Sequence, residues 1–192
     1  CGAAPALSTV EALRKQKKYK ICVITCDNRK DSIGKFVGDE FEVVPGFLDK
    51  NFCGYMIQLC KRKKIDYVFP MLDLELEKWA TIKNELQGYG TFVFVNSVAC
   101  INNANNKCLT WRKCVANGIN HPKSFVADKR SFIVDRIPVI AKPFVGLGTQ
   151  GVVAIHSLSQ LDSYLEKYDL GATLFSEILT GEEYTVDVLY DF

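Results

Sequence analysis

The segment Ala141-Lys142-Pro143-Phe144-Val145-Gly146-Leu147-Gly148-Thr149-Gln150-Gly151-Val152 sets three glycines within six residues, between two β-branched runs. A glycine has no Cβ to block its backbone N–H, so such a loop can approach an anion closely and reads as a phosphate cradle. Lys142, just ahead of the loop, would supply a cation to the same phosphates, and a hydrogen bond to a charged group contributes roughly 1.5 to 3 kcal/mol. Taken alone, the loop reads equally as a glycine-rich β-hairpin with a lysine at the strand end. Two familiar nucleotide patterns do not fit. There is no Gly-x-x-x-x-Gly-Lys-Ser/Thr, and the opening Cys1-Gly2-Ala3-Ala4-Pro5-Ala6-Leu7 does not satisfy Gly-x-Gly-x-x-Gly. Gly146-x-Gly148-x-x-Gly151 does satisfy it, but between two strands rather than ahead of a helix, which is the wrong setting for a dinucleotide fold.

Around this loop lie Pro122 to Val126, Pro138 to Pro143, Gly151 to Ile155 and Thr173 to Glu177, all strand-like, with one helix whose face carries Leu158, Leu161 and Leu165. A last strand is expected over Tyr184 to Leu189. Short turns and a single helix predict a small antiparallel α+β unit. It is preceded by a helix marked by Cys108, Trp111 and Val115 and stopped by Gly118, and by a polar, asparagine-rich linker with a short helix from Ser97 to Asn106.

The first hundred residues have a different style. Leu7, Val10 and Leu13 recur at helical spacing; Ile21 to Ile24 reads as a buried strand and Phe41 to Val44 as a second. Phe52, Met56, Leu59 and Cys60 mark a helix, Tyr67 to Phe69 a strand, Leu76, Trp79, Ile82 and Leu86 another helix, and Thr91 to Val95 a strand. Such alternation predicts an open parallel sheet with helices on both faces. In a sheet of this kind a strand normally stands ahead of the glycine-containing turn at the start, so a leading strand upstream of Cys1 is expected.

Composition bounds the remainder. The chain has 192 residues, 48% hydrophobic and 24% charged, enough for one domain and part of another at about 150 residues each. A formal charge of +2 is too mild for a nucleic-acid binder, and no apolar run approaches the roughly 18 to 20 residues of a membrane helix. Eight cysteines at or before Cys114, with no Cys-x-x-Cys and only His121 and His156 as histidines, read as reduced core residues rather than a disulfide framework or a zinc site. His121 reads as a loop residue, and His156 as the lead into a helix capped by Ser157 or Ser159. Asp27, Asp73 and Glu75 follow strand ends, where they would either line a substrate cleft or form turns and helix caps.

Three features in order, Asn106-Lys107 opening a helix, Pro138 to Pro143 ahead of the glycine loop, and Ser176-Glu177-Ile178-Leu179-Thr180-Gly181-Glu182-Glu183-Tyr184-Thr185-Val186-Asp187, give the chain a resemblance to the ATP-grasp superfamily. It is similar in particular to the large chain of carbamoyl phosphate synthetase and to biotin carboxylase. The resemblance implies an α/β fold: a Rossmann-like parallel-sheet pre-ATP-grasp domain over 1–103, its first strand missing, a lid subdomain with its connecting helix over 104–176, and the hinge and first strand of the catalytic subdomain over 177–192. It further implies that Lys107 and Lys142 contact ATP phosphates and that Gly146, Gly148 and Gly151 close over the triphosphate. The Glu177 to Thr180 backbone would recognise the adenine edge, Ile178 and Leu179 would wall the base, and Glu183 would bind the ribose hydroxyls. Glu183 on its own would read as a solvated strand-edge glutamate, but an ionised acceptor suits that role. Gln150 stands where members of the family often carry a cation.

The activity implied is an ATP-dependent ligase that forms an acylphosphate from a carboxylate and joins it to an amine or similar nucleophile. Mg²⁺ is the implied metal, with its ligands and the catalytic arginine expected beyond Phe192; Asp187 and Asp191 do not match the metal pair. A truncated chain of this kind is expected to be inactive alone. The alternative is an ATP-binding or regulatory module without turnover; a Rossmann-type dehydrogenase is disfavoured by the glycine context. The partners expected are small-molecule carboxylate and amine substrates and a second copy in a homodimer, with no nucleic acid and no membrane, in the cytoplasm.

Overall fold

The computed structural model describes residues 4–146, 148–186 and 188, and the chain divides into two compact units, Cys1–Asn102 and Asn103–Phe192. In the first unit, α1 (Ala4–Lys15) is followed by β1 (Ile24–Asp27), β2 (Glu40–Val43), α2 (Phe52–Lys63), β3 (Tyr67–Val68), α3 (Leu76–Gly88) and β4 (Phe92–Val93). The pattern of apolar residues maps directly onto what is buried. Phe52, Met56, Leu59 and Cys60 of α2 pack with Trp79, Ile82 and Leu86 of α3 and with Val93 in one core, and the Phe52 and Trp79 rings meet edge to face at 5.8 Å. The backbone of α2 ends on Lys64 in the left-handed region at φ 50, its N–H returning to the Cys60 and Lys61 carbonyls.

The parallel pairing expected of this half is present, and the fold is mixed α/β. Its extent is smaller than the sequence suggests: β1 pairs with β2 and β3 with β4, as two separate two-stranded ladders. β1 begins at Ile24 rather than Ile21, because Ile21 and Cys22 are exposed and the ladder with β2 starts at Ile24 opposite Glu40. Thr91 to Val95 contributes only Phe92 and Val93 to pairing, opposite Tyr67 and Val68.

A short helix, α4 (Val98–Asn105), spans the division between the units. The second unit contains α5 (Lys107–Ala116), β5 (Ser124–Val126), α6 (Ser131–Val134), β6 (Val139–Pro143), β7 (Val153–Ile155), α7 (Leu158–Leu165) and β8 (Thr173–Glu177). The four strands form one antiparallel sheet in the order β5-β8-β6-β7. Alternation along β6 decides its two faces: Val139 and Ala141 are buried with Ile155, Leu161, Tyr164 and Phe175, whereas Ile140 and Lys142 point the other way. On α7, Leu161 is buried but Leu158, expected on the core face, is 47% exposed at the first residue of the helix. Val115 likewise leaves the expected core face of α5 and is exposed.

The strand expected over Tyr184 to Leu189 does not form in the described part. Residues 182–186 carry no strand, Tyr184, Val186 and Val188 are exposed, and no described strand pairs with them. Asp187, Leu189 and Asp191 lie outside the described residues. Cys22, Cys53, Cys60, Cys100, Cys108 and Cys114 are free thiols, and Cys22 and Cys100 are exposed rather than in the core, Cys22 because it precedes the paired part of its strand. Burial pushes the Cys26 and Cys60 thiols up to about 11.

Candidate phosphate-binding site

The site is built where β6, the start of α5 and the glycine loop meet. β6 lies inside the sheet between β8 and β7, so its backbone is held on both edges, with Lys142 opposite Leu174. At its end the Phe144 N–H donates to the Ala172 carbonyl at 2.8 Å, and the Phe144 carbonyl accepts from the Lys107 N–H, also at 2.8 Å. The first residue of α5 is thereby tied to the mouth of the loop. Asn106 caps the helix, its Oδ1 accepting from the Cys108 N–H at 3.0 Å and the Leu109 N–H at 3.1 Å.

Two lysines are thus brought to one place from segments far apart in sequence. Partial burial, and then the positive charge of Lys107, hold the Lys142 ammonium below the usual lysine range. Among the described residues neither lysine has a carboxylate partner. Two adjacent, partly desolvated cations without a counter-charge are unfavourable unless a polyanion joins them, which is the donor chemistry a triphosphate requires.

In the loop, Gly148 and Gly151 adopt φ of +57 and +70, a region that disfavours any side chain. At Gly151 space excludes one too: a Cβ would fall 2.6 Å from Pro143 Cγ and 2.8 Å from Tyr168 Cε1. Gly146 has no such requirement, a Cβ there meeting only the Gln150 carbonyl at 3.5 Å. Leu147 lies outside the described residues, and Gln150 is exposed.

The other candidate residues are placed differently. Glu177 pairs with Val139 across the sheet, so its side chain is on the face opposite Lys142, where its Oε1 accepts from the Lys123 N–H at 2.7 Å. Ile178 is half-buried, while Leu179 and Glu183 are exposed. Asp27 accepts from the Arg29 N–H and the Ser32 hydroxyl, and Glu75 accepts from the Met71 and Leu72 N–H groups, so turn formation and capping account for both carboxylates. His121 contacts the neighbouring Pro122 carbonyl, and Ser157 rather than Ser159 caps α7. On Lys142's face of the sheet, the Ser124 and Ser176 hydroxyls meet at 2.9 Å, a pairing of distant strands that no local pattern announces. The Tyr168 ring behind Gly151 is a similar case.

A cavity of about 420 Å³ in the second unit is lined by Trp111, Val115, Phe125 and Phe132 among others, but by neither lysine. The candidate phosphate site is therefore not that cavity but the junction of strand end, helix start and loop. Among the described residues no three His, Cys, Asp or Glu side chains gather to hold a metal ion. No described helix is long and apolar enough to cross a membrane.

Residues 2–94 match the family described as PylC-like, N-terminal domain, and residues 104–192 match the ATP-grasp domain. No curated protein sequence matches significantly. Among solved structures, the chain is similar to N5-carboxyaminoimidazole ribonucleotide synthetase from Thermotoga maritima, with a TM-score of 0.63 at 20% identity over 90% of this chain and 42% of that one. It is similar to the L-amino acid ligase from Bacillus licheniformis, with a TM-score of 0.67 at 16% identity over 94% of this chain and 42% of that one. The biotin carboxylase domain of 2-oxoglutarate carboxylase from Hydrogenobacter thermophilus, solved with MgADP and bicarbonate, has a TM-score of 0.63 at 12% identity over 93% of this chain and 42% of that one. The chain thus spans well under half the length of these three structures.

Proposed function

We propose, since residues 104–192 match the ATP-grasp domain, that the chain is the ATP-binding portion of an ATP-dependent ligase acting on a small-molecule carboxylate and an amine or similar nucleophile. The observation that supports this most directly is the Lys107 and Lys142 pair: two cations from different elements, at the mouth of a glycine loop, without a carboxylate partner among the described residues. Bound ATP with Mg²⁺ would supply the phosphoryl group that converts the carboxylate into an acylphosphate open to attack by the nucleophile. Lys142 and Lys107 hold and neutralise the phosphates, which is the main work of phosphoryl-transfer sites. The 144–151 loop covers them and excludes water, with Gly148 and Gly151 supplying the positive φ angles its path needs.

The adenine edge is assigned to the backbone from Glu177 to Thr180, with Ile178 and Leu179 beside the base and Glu183 at the ribose. Within the same proposal, 1–103 is the pre-ATP-grasp domain, 104–176 the lid and 177–192 the hinge and opening of the catalytic subdomain. The Mg²⁺ ligands, the catalytic arginine and the remaining substrate contacts are assigned outside the described residues. A homodimer in the cytoplasm completes the reading, and the free thiols of Cys22, Cys53, Cys60, Cys100, Cys108 and Cys114 suit a reducing compartment.

Thermal denaturation with MgATP and with NAD tests it. A ligand at 100 times its dissociation constant stabilises by about 2.7 kcal/mol, so ATP should raise the midpoint and NAD should not. A shift with NAD alone would overturn the assignment. For the ligase step, ADP release by the complete ligase should depend on both a carboxylate and a nucleophile.

A further inference from the structure

The cavity of the second unit takes no part in the phosphate site, yet its aromatic lining is anchored in the core. Phe175, fully buried, stacks on Phe125 with centroids 5.5 Å apart and planes 18° apart, and Phe125 meets the Phe132 ring edge to face at 5.4 Å. Arg136 clamps this pair: its guanidinium lies 3.6 Å from the Phe132 centroid and 5.5 Å from that of Phe125, and its Nη1 donates to the Phe132 carbonyl at 2.7 Å. The rest of the lining comes largely from α5, where Trp111 and Val115 stand one turn apart with Arg112 beside them. Val115 and Phe132 are exposed although apolar, and Trp111 Nε1 is buried with no acceptor among the described residues. Arg112 forms no ion pair among the described residues.

We propose that this cavity binds a small molecule that carries a flat apolar ring and a carboxylate. A volume of about 420 Å³, an aromatic and aliphatic lining and a single kind of charged group are the features of small-ligand sites, where apolar walls supply affinity and the polar group sets orientation. The rings of Trp111, Phe125 and Phe132 suit a flat ring, which can stack on them or meet them edge to face. Arg112 suits a carboxylate, because its planar fork donates two parallel hydrogen bonds to two oxygens. With Phe125 and Phe132 already held by Phe175 and Arg136, little ordering of the protein opposes binding. Neither Lys107 nor Lys142 lines the cavity, so its ligand is separate from the nucleotide, and the site stands whether or not the chain binds ATP.

Calorimetric titration of the whole chain with 3-phenylpropionate, and with 3-phenylpropanol as its uncharged counterpart, reads the affinity. Tryptophan emission reads the place, since Trp79 lies in the core of the first unit and Trp111 at the cavity. The acid should bind saturably with a dissociation constant of about 1 mM or tighter and should change the emission of the wild type but not of Trp111→Phe. It should bind about three- to tenfold more tightly than the alcohol, as expected of a charge-assisted bond to a solvent-exposed guanidinium. Arg112→Gln should bring the acid down to the affinity of the alcohol and leave the alcohol unchanged. Phe132→Ala, at a surface ring, should weaken both equally, and Lys142→Met should weaken neither. Absence of saturable binding would overturn the proposal, as would equal affinities of acid and alcohol for the wild type, or binding that Phe132→Ala does not weaken. Absence of binding together with a concentration-dependent mass in sedimentation that Phe132→Ala abolishes would likewise overturn it, and would make this face a contact between copies of the chain.

Discussion

Replacing Lys142 by Met should move stability and binding in opposite directions. Met retains the length and apolar stem of the side chain but removes the charge that partial burial and Lys107 both disfavour. A lysine whose folded pKa lies below its unfolded value, about 10.4, binds fewer protons folded than unfolded in the interval between the two. Stability contributed by this group therefore rises with pH through that interval, and below it, at pH 7, the full penalty is present. Lys142→Met should thus denature at or above the wild-type temperature at pH 7 and should lose part of the stability gain that the wild type shows as pH climbs toward 10.

Binding should respond the other way. One charge-assisted hydrogen bond to phosphate, about 1.5 to 3 kcal/mol, corresponds to a dissociation constant for MgATP roughly 10 to 150 times weaker. Calorimetric titration at pH 7 reads the affinity, and circular dichroism melts at pH 7 and 9.5 read the stability. A fall of several degrees in melting temperature with unchanged affinity would refute the reasoning, because Lys142 would then be a structural group and the repulsion from Lys107 immaterial. On the proposed assignment both lysines serve the same phosphates, and Lys107 disfavours the Lys142 charge in their absence, so the losses in Lys107→Met and Lys142→Met should not add in the double variant.

Other substitutions separate backbone, core and surface effects. Gly148→Ala should destabilise by about 1 to 2 kcal/mol, the left-handed backbone penalty alone, whereas Gly151→Ala meets Pro143 and Tyr168 as well and should exceed it; urea denaturation compares the two. Phe175→Ala, at a fully buried ring on an inner strand of the four-stranded sheet, should remove about 3 to 5 kcal/mol by the same measurement. Thiol labelling at pH 8 should modify Cys22 and Cys100 rapidly, and Cys26 and Cys60, pushed up to about 11, only as the chain unfolds. Glu177→Ala leaves the exposed Lys123 N–H without its side-chain acceptor and should lower stability by at most about 1 kcal/mol with little effect on phosphate affinity.

Helices were legible because their signal is local. The spacing of Trp79, Ile82 and Leu86 places all three on one face of α3, and all three are buried. Strand limits were less so: Ile21 has the same apolar character as Ile24, and only the position of β2 decides which of them enters a ladder. The same holds for Tyr184 to Val186, β-prone residues with which no described strand pairs. At the site, the glycines and Lys142 stood out in sequence because loop chemistry is contiguous. The Lys107 contact with Phe144, the ring of Tyr168 and the hydroxyl pair of Ser124 and Ser176 join residues from different strands and helices, and periodicity carries no information about such meetings.

The capping of α5 bears on how the site would attract its ligand. All three N–H groups of the first turn are engaged within the protein: that of Lys107 by Phe144, those of Cys108 and Leu109 by Asn106. A helix start closed in this way has no amide left to offer an anion, unlike the open termini that grip phosphate by their dipoles. Attraction then depends on ammonium groups held on flexible stems at an open surface, where mobile ions compete within a Debye length of about 10 Å at 0.1 M salt. Ionic strength, more than local backbone geometry, should govern how fast and how tightly a polyphosphate is first captured there.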